Sequence, residues 1–339
     1  MKHITKTVFQ RAALATLTAA LASTAAHAAD DAALREAAEK EGQLVIYTAN
    51  QLESEQDLVA QFNKEYPAIK VEIVRAPGGR LATRIETEVA AGKLSADVID
   101  MSDRGLVEGF KQVFADYSPP NADQYPDALK DIPNVWPKTV WGFVLAYNVA
   151  SGVEPPKSWK DLTDEKYRGK VGTVVANSGG STWTRALFER KVVGDDYWKE
   201  LAANNPTLYP SGAPAASGIV RGEVLLGGVQ SNSVIPMVRQ GAPIKVVYPE
   251  EGVPVTASVA GIVKDSRNPN AARLFMNWAL SAKGQAAWVE NGGGFSVMEG
   301  APLPEGATAS TRLWIPDSQD FTSLRNDWLA QWNQVFGVR

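Results

Sequence analysis

Runs of β-branched and aromatic residues in this chain pass repeatedly into short polar turns and then into amphipathic helical patterns, and that alternation restricts the fold more than any other feature. Gln43-Leu44-Val45-Ile46-Tyr47 reads as a buried strand ending in Thr48-Ala49-Asn50-Gln51, and Asp57 to Tyr66 follows as an amphipathic helix closed by Pro67. Ile69 to Val74 reads as a second strand, Pro77-Gly78-Gly79 as a turn, and Arg80 to Ala91 as a helix with Leu81, Ile85 and Val89 on one face, stopped by Gly92. Ala96 to Met101 is a third strand leading into Ser102-Asp103-Arg104-Gly105. Strands alternating with helices imply an α/β fold with a mainly parallel sheet, and such sheets place ligands at the carboxyl ends of their strands. Three polar loops, Thr48 to Gln51, Gly78 to Arg80 and Ser102 to Arg104, are therefore expected on one edge.

The second half repeats the scheme. Tyr117 to Trp136 is rich in Pro, Asp and Asn and reads as irregular structure, after which Thr139 to Asn148 is an apolar strand long enough to cross from one lobe to another. Val171 to Val175 is a strand, Asn177-Ser178-Gly179-Gly180-Ser181-Thr182 a polar turn, and Thr184 to Arg190 a helix with Leu187 and Phe188 on its apolar side. Glycines admit a bound group close to the backbone, hydroxyls donate, and helical N–H groups carry about half a positive charge, so this turn suits an anion. The same residues also suit a plain helix cap. Asp195 to Asn204 and Pro214 to Gly222 read as helices, Val224 to Val229 as a strand ending in Gln230-Ser231-Asn232-Ser233, and Ile244 to Tyr248 as another strand. Ser258 to Val263 can carry the chain back, helices follow at Pro269 to Trp278 and Lys283 to Asn291, and Phe321 to Phe336 is an amphipathic helix.

Composition narrows the function. Lys2, Lys6 and Arg11, the apolar run Ala12 to Ala22 and Ala26-His27-Ala28 form a secretory signal pattern, with cleavage expected after Ala28 and the product in the periplasm. The apolar run falls short of the roughly 20 residues a membrane helix needs. The 311 residues that follow carry 31 basic and 38 acidic side chains, a formal net charge of −7 with no basic patch, which argues against nucleic acid as a partner. There is no cysteine, and both histidines, His3 and His27, lie in the leader. The mature chain therefore cannot build the usual zinc, haem or iron–sulfur sites or a His-dependent triad, and no metal site or cofactor is expected. The acidic pairs Asp195-Asp196 and Glu250-Glu251 suit solvated surface better than paired catalytic carboxylates, and neither GxSxG, SxxK nor a Walker A lysine occurs.

Six segments in order carry a family resemblance: Leu44 to Thr48, Ala96 to Ile99, Ala146-Tyr147-Asn148, Pro156 to Leu162 continuing through Tyr167 to Val171, Tyr248 to Gly252, and Asn270 to Phe275. With them the chain resembles the periplasmic solute-binding proteins of ABC importers, of the two-lobed type II fold, in the branch that includes ferric-iron, thiamine, 2-aminoethylphosphonate and sugar-phosphate binders. The resemblance implies lobes joined by crossover strands, here 29–138 plus 258–312 and 139–257 plus 313–339, a ligand between them and hinge closure. It also implies a monomer that delivers solute to permease subunits in the inner membrane, or presents its closed form to a receptor. Carried over by position, Thr48, Ala49 and Asn50 fall on one ligand loop and Ser102, Asp103 and Arg104 on another. Ser178, Gly179, Gly180, Ser181 and Thr182 fall where the family cradles phosphate or carboxylate oxygens, faced by Ser231, Asn232 and Ser233.

The ferric branch has adjacent tyrosines near Asn232 to Val234 and often a histidine in the first loop, and this sequence has neither. Iron held by Tyr47, Tyr147, Tyr209 or Tyr248 or through a bound anion is the alternative to an organic anion. For the organic anion, Arg80 and Arg104 can each offer a planar fork, Trp141 or Tyr47 can wall an apolar part, and Asp103 can take an amine or neutralise Arg104.

Overall fold

The computed structural model describes residues 30–338, so the export signal read in residues 1–28 lies outside them. The first part of the chain contains α1 (30–41), β1 (Gln43–Thr48), α2 (Leu52–Glu65), β2 (Lys70–Arg75), α3 (Gly78–Ala90), β3 (Val98–Met101) and α4 (Arg104–Gly109). Short 3-10 turns separate α4 from the long β4 (Trp136–Asn148). Then come β5 (Val171–Val174), α5 (Gly180–Phe188), α6 (Tyr197–Ala203), β6 (Thr207–Tyr209), α7 (Gly212–Val220), β7 (Leu226–Gln230), α8 (Ser231–Arg239) and β8 (Ile244–Val247). The chain returns through β9 (Val253–Ile262) and ends with α9 (Pro269–Ala279), α10 (Ala282–Gly292), β10 (Leu313–Trp314), α11 (Ser318–Ser323) and α12 (Arg325–Phe336). No helix of the described residues is long and apolar enough to cross a membrane.

The strands run in the order β2-β1-β3-β9-β4-β7-β5-β6, with β8 attached to β4 and β10 to β9. β1 is parallel to β2 and β3, and β5 is parallel to β6 and β7, as alternating strands and helices require. The central pair departs from that rule. β9 is antiparallel to both β3 and β4, and β4 is antiparallel to β7 and β8. β4 is divided among three partners: Trp136 to Gly142 pairs with β9, whereas Phe143 to Asn148 pairs with β7 and β8. A single strand thus joins a first half of the sheet to a second.

Several boundaries differ from the sequence expectation. Gly78 and Gly79 open α3 instead of forming a turn, and α5 begins at Gly180, so Gly180, Ser181 and Thr182 are its first helical turn. Ser231-Asn232-Ser233 are the first turn of α8, a helix that Pro236 concealed in the sequence. β9 starts at Val253, and the C-terminal helix divides at Leu324. That division brings Phe321 and Trp328 to the same partner, Trp183, at ring-centroid distances of 6.3 and 6.5 Å.

A fully buried lysine, Lys138, stands in β4 between Glu55 of α2 and Asp100 of β3, both also buried. Burial alone would lower the Lys138 ammonium, but Asp100 and Glu55 reverse this and hold it charged. The pairing of β7 with β5 depends on close backbone approach, because a side chain on Gly227 would stand 2.0 Å from the Gly172 carbonyl oxygen.

Two stability predictions follow from this packing. Lys138→Met leaves two buried carboxylates without a counter-ion and is expected to cost about 3–5 kcal/mol in urea unfolding. Gly227→Ala should cost about 1–3 kcal/mol by overpacking, whereas Gly79→Ala, with open space around it on α3, should stabilise by roughly 0.5–1 kcal/mol. Equal effects of the two glycine substitutions would contradict this account of β5–β7 packing.

Candidate functional site

The carboxyl ends of β1 and β3 and the amino ends of α5, α7 and α8 meet where the two halves of the sheet face each other. Gln51 Nε2, just after β1, donates to Ser233 Oγ on α8 at 2.9 Å, a contact from the first half to the second. Gln230 Nε2 donates to Ser181 Oγ on α5 at 2.8 Å. A side chain on Gly212, at the start of α7, would stand 2.2 Å from Gln230 Oε1 and 2.9 Å from Ser233 Oγ. Ser181, Gly212 and Ser233 are therefore gathered around one side chain, and three helix N-termini come with them. The N-cap residues Gly179, Ser211 and Gln230 supply no side-chain cap, which leaves first-turn N–H groups able to serve an anion.

The cradle expected at Ser178 to Thr182 divides into scaffold and open positions. Thr182 Oγ1 donates to the Ala176 carbonyl at 2.8 Å and accepts from Gly179 N at 3.0 Å, and Ser178 Oγ donates to the Pro210 carbonyl at 2.7 Å. These two residues hold the turn. Gly180 lies against the first half, since a side chain there would stand 2.8 Å from the Ser102 carbonyl oxygen. Ser181, which accepts from Gln230, keeps its own proton free to donate.

In the first loop, Thr48 Oγ1 donates to Asp100 at 3.2 Å and accepts from Asn50 N at 3.0 Å, and Ala49 N donates to the Asp100 carbonyl. Asn50 Nδ2 donates to Asp100 at 2.8 Å and to Glu55 at 3.3 Å, while its Oδ1 is buried without a partner. Ser231 Oγ accepts from Gly142 N on β4 at 3.3 Å, and Asn232 Oδ1 is a second buried carbonyl without a partner.

The remaining sequence candidates are engaged as follows, with Asp103 lying against the start of α5, where a side chain on Gly180 would stand 3.4 Å from the Asp103 Cα. Arg80 is exposed on α3. Arg104 pairs with Asp131, and burial lowers its guanidinium to about 10. Asp103 caps α4 and takes Arg325 in a two-bonded pair at 2.9 and 3.2 Å, so its carboxylate is neutralised by Arg325 and not by Arg104. Trp141 is buried on β4 within an aromatic and aliphatic cluster that includes Trp288, and its indole N–H has no partner. Arg104 and Asp131 line a cavity of about 440 Å³ with Thr184, Thr256, Ile315 and Phe321. Of the candidate tyrosines, Tyr47, Tyr209 and Tyr248 donate their hydroxyls to Glu88, Glu223 and the Glu305 carbonyl.

Sequence reasoning placed Gln51 and Gln230 in polar loops without naming them as ligand residues, and it passed over Gly212. Ser211-Gly212 ahead of a helical pattern carries the same signal as Gly179-Gly180. For the two glutamines the sequence marks the loops but not the partners, which lie 182 and 49 residues away.

A family profile described as bacterial extracellular solute-binding protein matches residues 48–286, from the end of β1 into α10. Among curated proteins, the chain is 24% identical to "Iron uptake protein A1" of Synechocystis over 80% of its own length and 81% of that protein. Among solved structures it is similar to the periplasmic binding protein AfuA from Actinobacillus pleuropneumoniae with exogenous fructose-6-phosphate bound, at a TM-score of 0.70 and 24% identity, covering 88% of this chain and 99% of that one. It is also similar to the substrate-binding protein of an ABC transporter from Agrobacterium tumefaciens, with a TM-score of 0.72, 17% identity and coverage of 87% and 95%. These likenesses give the α/β periplasmic binding protein fold, and with the profile match they establish a non-catalytic solute binder: the chain belongs to the bacterial extracellular solute-binding protein family.

Proposed function

We propose that the protein is the substrate-binding component of an ABC importer that captures a small organic anion, a phosphonate, phosphate ester or carboxylate, and delivers it to permease subunits. The observation that carries this reading is the meeting of three uncapped helix N-termini at Ser181, Gly212 and Ser233. Each terminus contributes about half a positive charge, and together with hydroxyl and amide donors they suit a compact anion without any arginine in contact. Of the relatives described above, one is named for iron uptake and one was solved with exogenous fructose-6-phosphate bound. The organic anion is favoured over iron because the hydroxyls of Tyr47, Tyr209 and Tyr248 are engaged elsewhere.

In this reading the halves of the sheet are lobes, 29–138 plus 258–312 and 139–257 plus 313–339. β4 and β9 are the crossover strands, and Gln51 with Ser233 latches the closed form. The export signal places the mature protein in the periplasm, where it acts as a monomer.

Three measurements test the proposal. Purified mature protein, stripped of ligand and titrated with phosphonates, sugar phosphates, small carboxylates and ferric salts, should show a raised Tm with an organic anion, since ligand at 100 Kd adds about 2.7 kcal/mol. Ser181→Phe should abolish that shift while leaving the unliganded Tm within a few degrees, and unchanged affinity would remove α5 from the site. Gln51→Ala should weaken binding about 2- to 10-fold, the value of one neutral hydrogen bond, and make the liganded protein less compact in solution scattering. A ferric salt as the sole stabiliser would replace the anion reading by the iron one.

A further inference from the structure

The orientation of Asn50 is set by chemistry. Its amide group lies against Asp100 Oδ2 at 2.8 Å and Glu55 Oε2 at 3.3 Å, and carboxylate oxygens only accept. Turning the amide over would place its carbonyl against those oxygens, so Nδ2 must face them and Oδ1 must face away. The backbone carbonyl of Asn50 is taken by Arg75 Nε at 3.2 Å, which leaves Oδ1 as the open acceptor of this residue. That oxygen is buried and unpartnered, on a residue that is 6% exposed and stands next to the Gln51 latch. A buried acceptor without a donor is a position that a ligand can complete.

The charge behind Asn50 decides what kind of donor fits. Glu55 and Asp100 share the one ammonium of Lys138, so the cluster has a formal charge of −1 inside the first half. Burial, with Glu55 adding to it, pushes the Asp100 carboxyl up to about 6 against the pull of Lys138, still below neutral pH. A hydroxyl can satisfy Oδ1, but only a cationic donor also gains from the negative charge one amide group behind it. Across the cleft, next to Ser233, Asn232 Oδ1 is likewise buried and unpartnered. The first half thus offers an acceptor backed by negative charge, and the second half offers the positive ends of α5, α7 and α8.

We propose that the solute is a zwitterion, an acid bearing an ammonium group, whose N–H donates to Asn50 Oδ1 while its anionic group lies at the helix N-termini. Glu55 and Asp100 are positioning residues that orient Asn50, and the inference rests on the organic-anion reading above. It requires calorimetric titration of the full mature protein with matched pairs: 2-aminoethylphosphonate against ethylphosphonate, and 4-aminobutyrate against butyrate. In at least one pair the amine-bearing member should bind 10-fold or more tightly than its partner. Asn50→Leu should collapse that ratio toward 1. Glu55→Gln, which keeps an acceptor for Asn50 and removes one negative charge, should lower it several-fold with the unliganded Tm little changed, and it serves if Asn50→Leu does not fold. Equal binding within both pairs overturns the zwitterion and leaves the anion reading intact. A ratio that survives both substitutions removes Asn50 as its origin, and absence of binding by these pairs together with fructose 6-phosphate overturns both readings.

Discussion

β4 and β9 lie side by side at the centre of the sheet, buried along nearly their whole length, and every other strand is reached through one of them. Their pairing makes one body of two sets of parallel strands, which explains why a chain that alternates strand and helix has an antiparallel centre. Lys138 imposes the further condition. An ammonium inside such a strand is tolerated only when carboxylates surround it, and separating the partners would strand charges at a cost of several kcal/mol per ion. Glu55 and Asp100 meet that condition, and Thr48, Asn50 and Ser258 bond to Asp100 in turn. The loop after β1 is thereby tied to both crossing strands.

The two faces of the cleft differ in kind. The second half presents backbone donors at helix starts, where positive character arises from aligned peptide dipoles and needs no charged side chain. The first half presents the carbonyl oxygen of Asn50, whose direction is dictated by the buried carboxylates of Glu55 and Asp100. A net charge of −7 over residues 29–339 does not oppose positive character at these three helix ends, because that field is local.

The segments that made the family legible are mostly joints of the fold and not contacts of the site. Asp97 accepts from Val45 N, Ser266 and Asn268, pinning β1 to the turn after β9. Trp159 donates through its backbone to Glu251 at 3.1 Å and through its indole to the Gly252 carbonyl at 3.1 Å, joining two of the recognised segments. Asn148 bonds the carbonyls ending α7, and Asn270 and Ala271 bond Glu41 at the end of α1. Such joints demand particular residues in short runs, because a buried carboxylate or amide must find every partner locally arranged. Solute contacts come as single side chains from separate loops, which gives them little signature in a linear chain.

Local periodicity was enough to determine the α/β class, the order of most strands and helices and the glycine-rich turn before α5, and composition alone determined the absence of cysteine and histidine from residues 29–339. Boundaries suffered where a proline or glycine pair sat inside a helix, as in α8 and α3, since intrinsic propensity there is outweighed by tertiary packing. Only the folded arrangement decided that Asp103 belongs to Arg325 and Arg104 to Asp131, that Thr182 and Ser178 brace the turn, and that Gln51, Gly212 and Gln230 come together with Ser181 and Ser233. The reason is physical: periodicity reports which face of an element is buried, whereas the partner of a buried charge or amide is chosen by whichever distant segment packing brings within about 3 Å.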